Sequence, residues 1–259
     1  MYNFFLVLLN NLWDLPSAVF VSVSLVGIAF TCSTKEHGLE LVADLAYPVA
    51  LIGLLIGLVG ILQNIADYQA LPMALALAHV PLIYAAIIYG VVWTGRPAIN
   101  QMHNSPLRKL AGTTIFLVMT LWAAHASSSL PVFFLLDALA FTFVGIFGLI
   151  CADHLLKRQD VVGWTKRLLG IALICFVCGL IGMLANLDER RAIGPAAALA
   201  LLGLLYSLIL VVIGRIWFPE KMLDRNGLNG TGLLTLVLPV LFGVVALSGL
   251  LASTTFYDY

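Results

Sequence analysis

Eight apolar stretches, each about long enough to cross a bilayer, follow one another along this chain with short connections between them. They run over 16–33, 45–66, 70–94, 109–126, 131–152, 167–187, 193–217 and 230–253. Hydrocarbon offers no hydrogen bonds, so each stretch has to satisfy its own backbone groups, and an α-helix does so within one segment. The sequence is 62% hydrophobic and 10% charged, where soluble domains carry about 25% charged residues. The expected fold is an all-α, multi-pass membrane protein of about eight transmembrane helices. No connection exceeds about 15 residues, which leaves no room for a soluble domain. The run "FFLVLLNNLW" over 4–13 is too short to span and lacks the basic start of a signal peptide. Residues 1–13 therefore read as an interfacial segment leading into the first helix, with a truncated extra span as the alternative.

Charge orients the helices. Eleven of the 13 Lys and Arg fall in the odd-numbered connections and two, Arg190 and Arg191, in an even one. The positive-inside rule puts the odd connections in the cytoplasm and both termini outside, the periplasmic side of a bacterial inner membrane. Trp13, Trp93, Trp164 and Trp217 fall near expected helix ends, where interfacial anchors belong. The net charge is zero, so no bulk field points to nucleic acid.

A hairpin occurs twice. "GLVGILQNIADYQALPMALALAHVPLIY" (57–84) and "GLIGMLANLDERRAIGPAAALALLGLLY" (179–206) align without a gap at a shift of 122. Gly57, Gly60, Leu62, Asn64, Ala74, Ala76 and Tyr84 match Gly179, Gly182, Leu184, Asn186, Ala196, Ala198 and Tyr206. Upstream, "LPSAVFVSVSLVG" and "LLDALAFTFVG" resemble each other with a small change of shift. The chain thus reads as two four-helix units, 14–126 and 127–259, after the segment 1–13. Four is even, so the repeats run parallel, about an axis along the membrane normal.

Small residues at helical spacing let backbones approach closely where no hydrophobic effect drives association. Gly53, Gly57 and Gly60 have this spacing, as do Gly179 and Gly182, and across the turns Ala74 and Ala78, then Ala196, Ala200 and Gly203. Asn64 and Asn186 can cap the outgoing helices. Asp67 and Asp188 belong to the outer turns, and Pro72 and Pro195 to the first turn of the returning helices, where a missing N–H costs little.

Intramembrane polar groups are functional candidates. His79 lies about a third of the way along the third helix, and bonds a helix carbonyl, contacts an ion or partner, or ligates a metal or haem, for which His125, the nearest second ligand, does not match it in depth. His125 and Asp137 fall near outer helix ends. Cys175 and Cys178 form a C-x-x-C inside an apolar helix with no further ligand cluster, and read as small apolar residues. No metal or cofactor is expected, and no nucleophile with a base, phosphate loop or metal spacing suggests an enzyme.

The second hairpin resembles the last two membrane helices of the MotA/TolQ/ExbB family, and stator subunits of the MotA and PomA type in particular. The shared pattern is carried by Gly179, Gly182, Leu184 to Asp188, Gly194, Pro195, Ala198, Leu201, Leu202 and Tyr206. "LWDLPSAVFVSVSLVG" resembles the start of the family's second helix through Asp14, Pro16 and Ser17, with Val23 and Ser24 in place of a glycine pair. The resemblance implies ion transport of the proton-channel kind. It implies a ring around a single-span partner of the MotB or ExbD type, which donates the titrating aspartate, with Pro48, Asn64, His79, Tyr84, Asn186 and Tyr206 as candidates for the ion path or partner contact. This sequence departs from the family at the polar positions. The family threonine of the third helix falls on Leu54 and Phe176, its proline on Leu169 and next to Pro48, and the last helix's threonine pair on Gly203 and Leu204. The large cytoplasmic domain of MotA has no counterpart in 34–44 or 153–166. A self-contained channel or transporter and a non-conducting scaffold are the other readings.

Overall fold

Capping begins the first helix. Asp14 is extended (φ −98°, ψ 101°), its carboxylate accepts from the Ser17 N–H at 3.1 Å, and Pro16 occupies the first turn. The D-x-P-S motif is therefore a helix start. The computed structural model describes residues 14–63, 71–92, 105–127, 131, 133, 136–155, 163–185 and 190–218. Its helices are α1 (Leu15–Phe30), α2 (Lys35–Gln63), α3 (Leu71–Val92), α4 (Pro106–Ser127), α5 (Leu136–Leu155), α6 (Trp164–Ala185) and α7 (Arg190–Trp217). Among the described residues there is no strand. Six of these helices, α2 to α7, are long and apolar enough to cross a membrane. At 16 residues α1 is about 24 Å long and falls short of the roughly 30 Å hydrocarbon layer. The expected helix at 230–253 and the segment 1–13 lie outside the described residues.

Several helix starts differ from the hydropathy boundaries: α4 begins at Pro106 instead of 109, α5 at Leu136 instead of 131 and α6 at Trp164 instead of 167, and two further cases bear on the connections. α2 begins at Lys35 instead of 45, so the stretch expected as a connection is helical. α7 begins at Arg190 instead of 193, which puts Pro195 in its second turn. Hydropathy marks where residues must be apolar, whereas a helix goes on wherever its backbone can still bond. Lys, Glu and Arg are good helix formers, Glu36 suits the positive end of the α2 dipole, and Thr34 accepts from the His37 N–H at 3.4 Å.

Four helices form a row in the order α3, α2, α7, α6, each packed on the next. α2 uses opposite faces for its two neighbours. Gly53 and Gly57 face Pro81 and Ala78 of α3, and Asp44, half a helical turn round, faces Arg215 of α7. α1 lies against α2, α3 and α4, α5 lies against α6 and α7, and α4 also reaches α2 and α7. The core sits in the middle of the row, where Leu51, Ile52 and Leu55 of α2 and Leu201, Leu202 and Leu208 of α7 are all fully buried.

Candidate functional site: the paired hairpins

The two hairpins close on equivalent contacts. A Cβ built on Gly57 would stand 2.9 Å from the Ala78 methyl, and one on Gly179 would stand 2.5 Å from the Ala200 methyl. Both pairs are related by the 122-residue shift. One turn away, Gly53 receives the Pro81 ring at 3.1 Å, while in the second hairpin Cys175 packs on Gly203. The glycine has changed helices there, but one glycine still faces one larger side chain. Gly60 admits the backbone of α4 at Ser127, and Gly182 has open space at its Cβ position.

Two tyrosines make the same kind of tie. The Tyr84 hydroxyl donates to the Asp14 carbonyl at 3.5 Å, and the Tyr206 hydroxyl donates to the Phe133 carbonyl at 2.5 Å. Each acceptor lies at or just before the start of the first helix of its proposed unit. A phenol buried in hydrocarbon requires such an acceptor, and here the bond ties the returning helix to the helix that covers the hairpin.

His79 spends one ring nitrogen locally. Its Nδ1 lies 2.7 Å from the Leu75 carbonyl, and because a carbonyl only accepts, the proton is on Nδ1 and Nε2 is the acceptor of the neutral ring. Pro48 is buried in α2 and has no N–H to give the carbonyl four residues earlier, that of Asp44. Ala200 is buried against α6, and Pro195 and Ala196 lie on the α7 backbone. Asn64, Asn186, Asp67 and Asp188 lie outside the described residues. His125 and Asp137 are exposed near helix ends. Cys175 is buried and Cys178 is exposed.

An ion pair at one end of the bundle had no place in the sequence reading. Arg215 Nη1 lies 3.2 Å from Asp44 Oδ2, and both side chains are nearly buried. It joins α2 of the first proposed unit to α7 of the second. The signal was available: Arg215 is a lone cation in the apolar run "LVVIGRIWF". Reading it as a connection charge hid it, as did starting the second helix one residue after Asp44. At the same end the Trp217 indole N–H donates to Thr113 Oγ1 at 3.0 Å, and Lys109 donates to the Trp217 carbonyl at 3.5 Å. Arg167 bonds Asp153 at 2.5 Å and lies over the Trp164 ring. The rest of the joint is apolar. Leu54, Phe176 and Leu204, at positions where the resemblance calls for threonine, are all buried. Thr113, Thr120 and Thr142 each donate to a carbonyl one turn back on their own helix. The Ser24 and Ser207 hydroxyls are fully buried with no hydrogen-bond partner among the described residues.

No family model, curated protein or solved structure matches the chain.

Proposed function

We propose that this chain is an integral membrane subunit of a MotA/TolQ/ExbB-like complex, a tandem ring segment that packs around a single-helix partner. The observation that carries this reading is the order of the row. α2 and α6 are the outgoing helices of the two hairpins, and α3 and α7 the returning ones. In the row an outgoing helix of one hairpin meets the returning helix of the other, while α3 and α6 stand at the two ends. Such a joint uses different surfaces on its two sides, as neighbours in a ring do. The repeated Gly–Ala contacts and tyrosine ties support the two-unit organisation. The orientation that follows from the charges has both termini in the periplasm of a bacterial inner membrane.

The chain is a scaffold for ion movement, and the titrating group comes from the partner. The middle of the α2–α7 joint is leucine and isoleucine, and an ion there would meet no ligand to replace its water. The same observation favours a second reading, a non-conducting assembly subunit that keeps the fold alone. Capture of the full chain in mild detergent, followed by identification of bound proteins, tests the proposal. A single-span protein with an aspartate early in its helix is expected. Recovery of the chain with no single-span partner overturns it.

A further inference from the structure

We propose that copies of this chain join edge to edge, with the outer face of α6 in one copy packing on the outer face of α3 in the next. The proposal rests on the two-unit reading above and deepens it by naming the surfaces and the occupant.

The central joint defines what each face looks like when it is covered. On α7, Ala198, Leu201, Leu205, Leu208, Val212 and Arg215 recur at spacings of three and four and form one stripe, fixed towards α2 by the Arg215–Asp44 contact. All six are buried. On α2 the stripe through Asp44 is Pro48, Leu51, Leu55, Val59 and Leu62, again buried throughout. A shift of 122 carries these stripes onto the two end helices of the row. There the first becomes Ala76, His79, Ile83, Ala86 and Gly90 of α3, and the second becomes Lys166, Gly170, Leu173, Val177, Ile181 and Leu184 of α6.

These counterparts are bare. Leu51 and Leu55 are 0% exposed, while Leu173 and Val177 are 49% and 45% exposed. Leu205 is 2% exposed and Ile83 is 41% exposed. Of the eleven counterparts only His79 is half-buried, and the other ten are exposed. Each bare stripe lies across its helix from the row neighbour, which meets Ala78 and Pro81 on α3 and Cys175 and Gly179 on α6. One chain therefore carries both halves of a joint that it already makes once internally, at its two opposite edges. A second copy is the occupant that fits both.

The chemistry of the bare stripes suits helix contact. Ala76, Ala86 and Gly90 permit close approach of backbones, and the α6 stripe offers the branched side chains that fill such a surface. His79 lies in the α3 stripe with its Nδ1 proton committed to Leu75, so Nε2 is left to accept a bond. The ion pair is not repeated. The counterpart of Asp44 is Lys166, and that of Arg215 is Trp93. The edge joint lacks the buried charge pair of the central one. Contacts of this kind close into rings or extend as rows.

Paired cysteines test this in full-length protein whose four native cysteines are replaced by alanine. Asp44 opposite Arg215 in antiparallel helices puts Leu51 level with Leu208, seven residues along each, and the 122-residue shift puts Leu173 of one copy level with Ala86 of the next. Under membrane-permeant copper phenanthroline as oxidant, Leu51→Cys with Leu208→Cys is expected to form a disulfide within one chain. Leu173→Cys with Ala86→Cys is expected to bridge between chains in native membranes and give species of twice the chain mass and above. Adding Gly90→Trp, at an exposed position, is expected to abolish the bridge between chains and spare the internal one. If the internal pair bridges and the edge pair gives only single chains, no second copy covers these faces and the edge proposal fails. If the internal pair does not bridge, the row itself fails and the two-unit reading with it.

Discussion

Gly179 and Gly182 lie one turn apart on α6 and are identical in sequence pattern, yet their surroundings differ. A Cβ on Gly179 would fall 2.6 Å from the Ala200 Cα, and backbone cannot give way there, whereas one on Gly182 would meet nothing within 4 Å. Gly179→Ala is expected to destabilise the protein by about 1–3 kcal/mol through overpacking. Gly182→Ala is expected to be neutral or to stabilise by up to about 1 kcal/mol, because a helix favours alanine over glycine where the added methyl meets nothing. Thermal unfolding in detergent separates the two. Hydroxyls give a second test. Ser207 buries an unpartnered Oγ, and the matching position in the first hairpin is Ala85. Ser207→Ala is expected to be neutral or to stabilise by up to about 1–3 kcal/mol, since it removes an unsatisfied polar group. A loss of stability in the same assay would mean that Ser207 has a hydrogen-bond partner. Tyr206→Phe is expected to cost about 0.5–1.5 kcal/mol, and Tyr84→Phe less, because the Tyr84 bond is 1.0 Å longer (3.5 against 2.5 Å).

At the scale of elements, the joint between α2 and α7 stands on one ion pair and two leucine-rich faces. Removing one partner of a buried pair leaves the other charge uncompensated, at a cost of about 3–5 kcal/mol, while replacing both with apolar groups is often neutral. Arg215→Met is therefore expected to lower the unfolding midpoint sharply, and Arg215→Met with Asp44→Leu is expected to recover most of that loss. Additive damage in the double variant would mean that the two groups do not act as a pair. This joint was the least legible part of the sequence. Periodicity and small-residue spacing reveal contacts inside a hairpin, where chain neighbours must touch, and so Gly57, Ala78, Gly179 and Ala200 could be read directly. Nothing along the chain says that Asp44 meets Arg215, because that pairing is set by how two hairpins dock. The start of α2 was hidden for a related reason, since hydropathy stops at the membrane edge and the helix continues past it to Lys35.

For the whole molecule, the apolar stretches led directly to an all-helical, membrane-crossing fold, because hydrocarbon leaves a backbone few alternatives. The order of helices in the row did not follow from hydropathy, since every helix in the row is apolar on nearly all sides. That order matters most for function. It places a returning helix against an outgoing one in the middle of the chain, leaves one of each kind at the edges, and keeps the joint between hairpins dry. In the proposed complex a chain built this way supplies walls, with leucine and isoleucine in the middle of the α2–α7 joint. Ion flux through proteoliposomes holding this chain alone tests that claim most directly. Flux no greater than that of empty vesicles, under an imposed proton or sodium gradient, is the predicted result. Sustained flux that scales with the amount of reconstituted chain would contradict it.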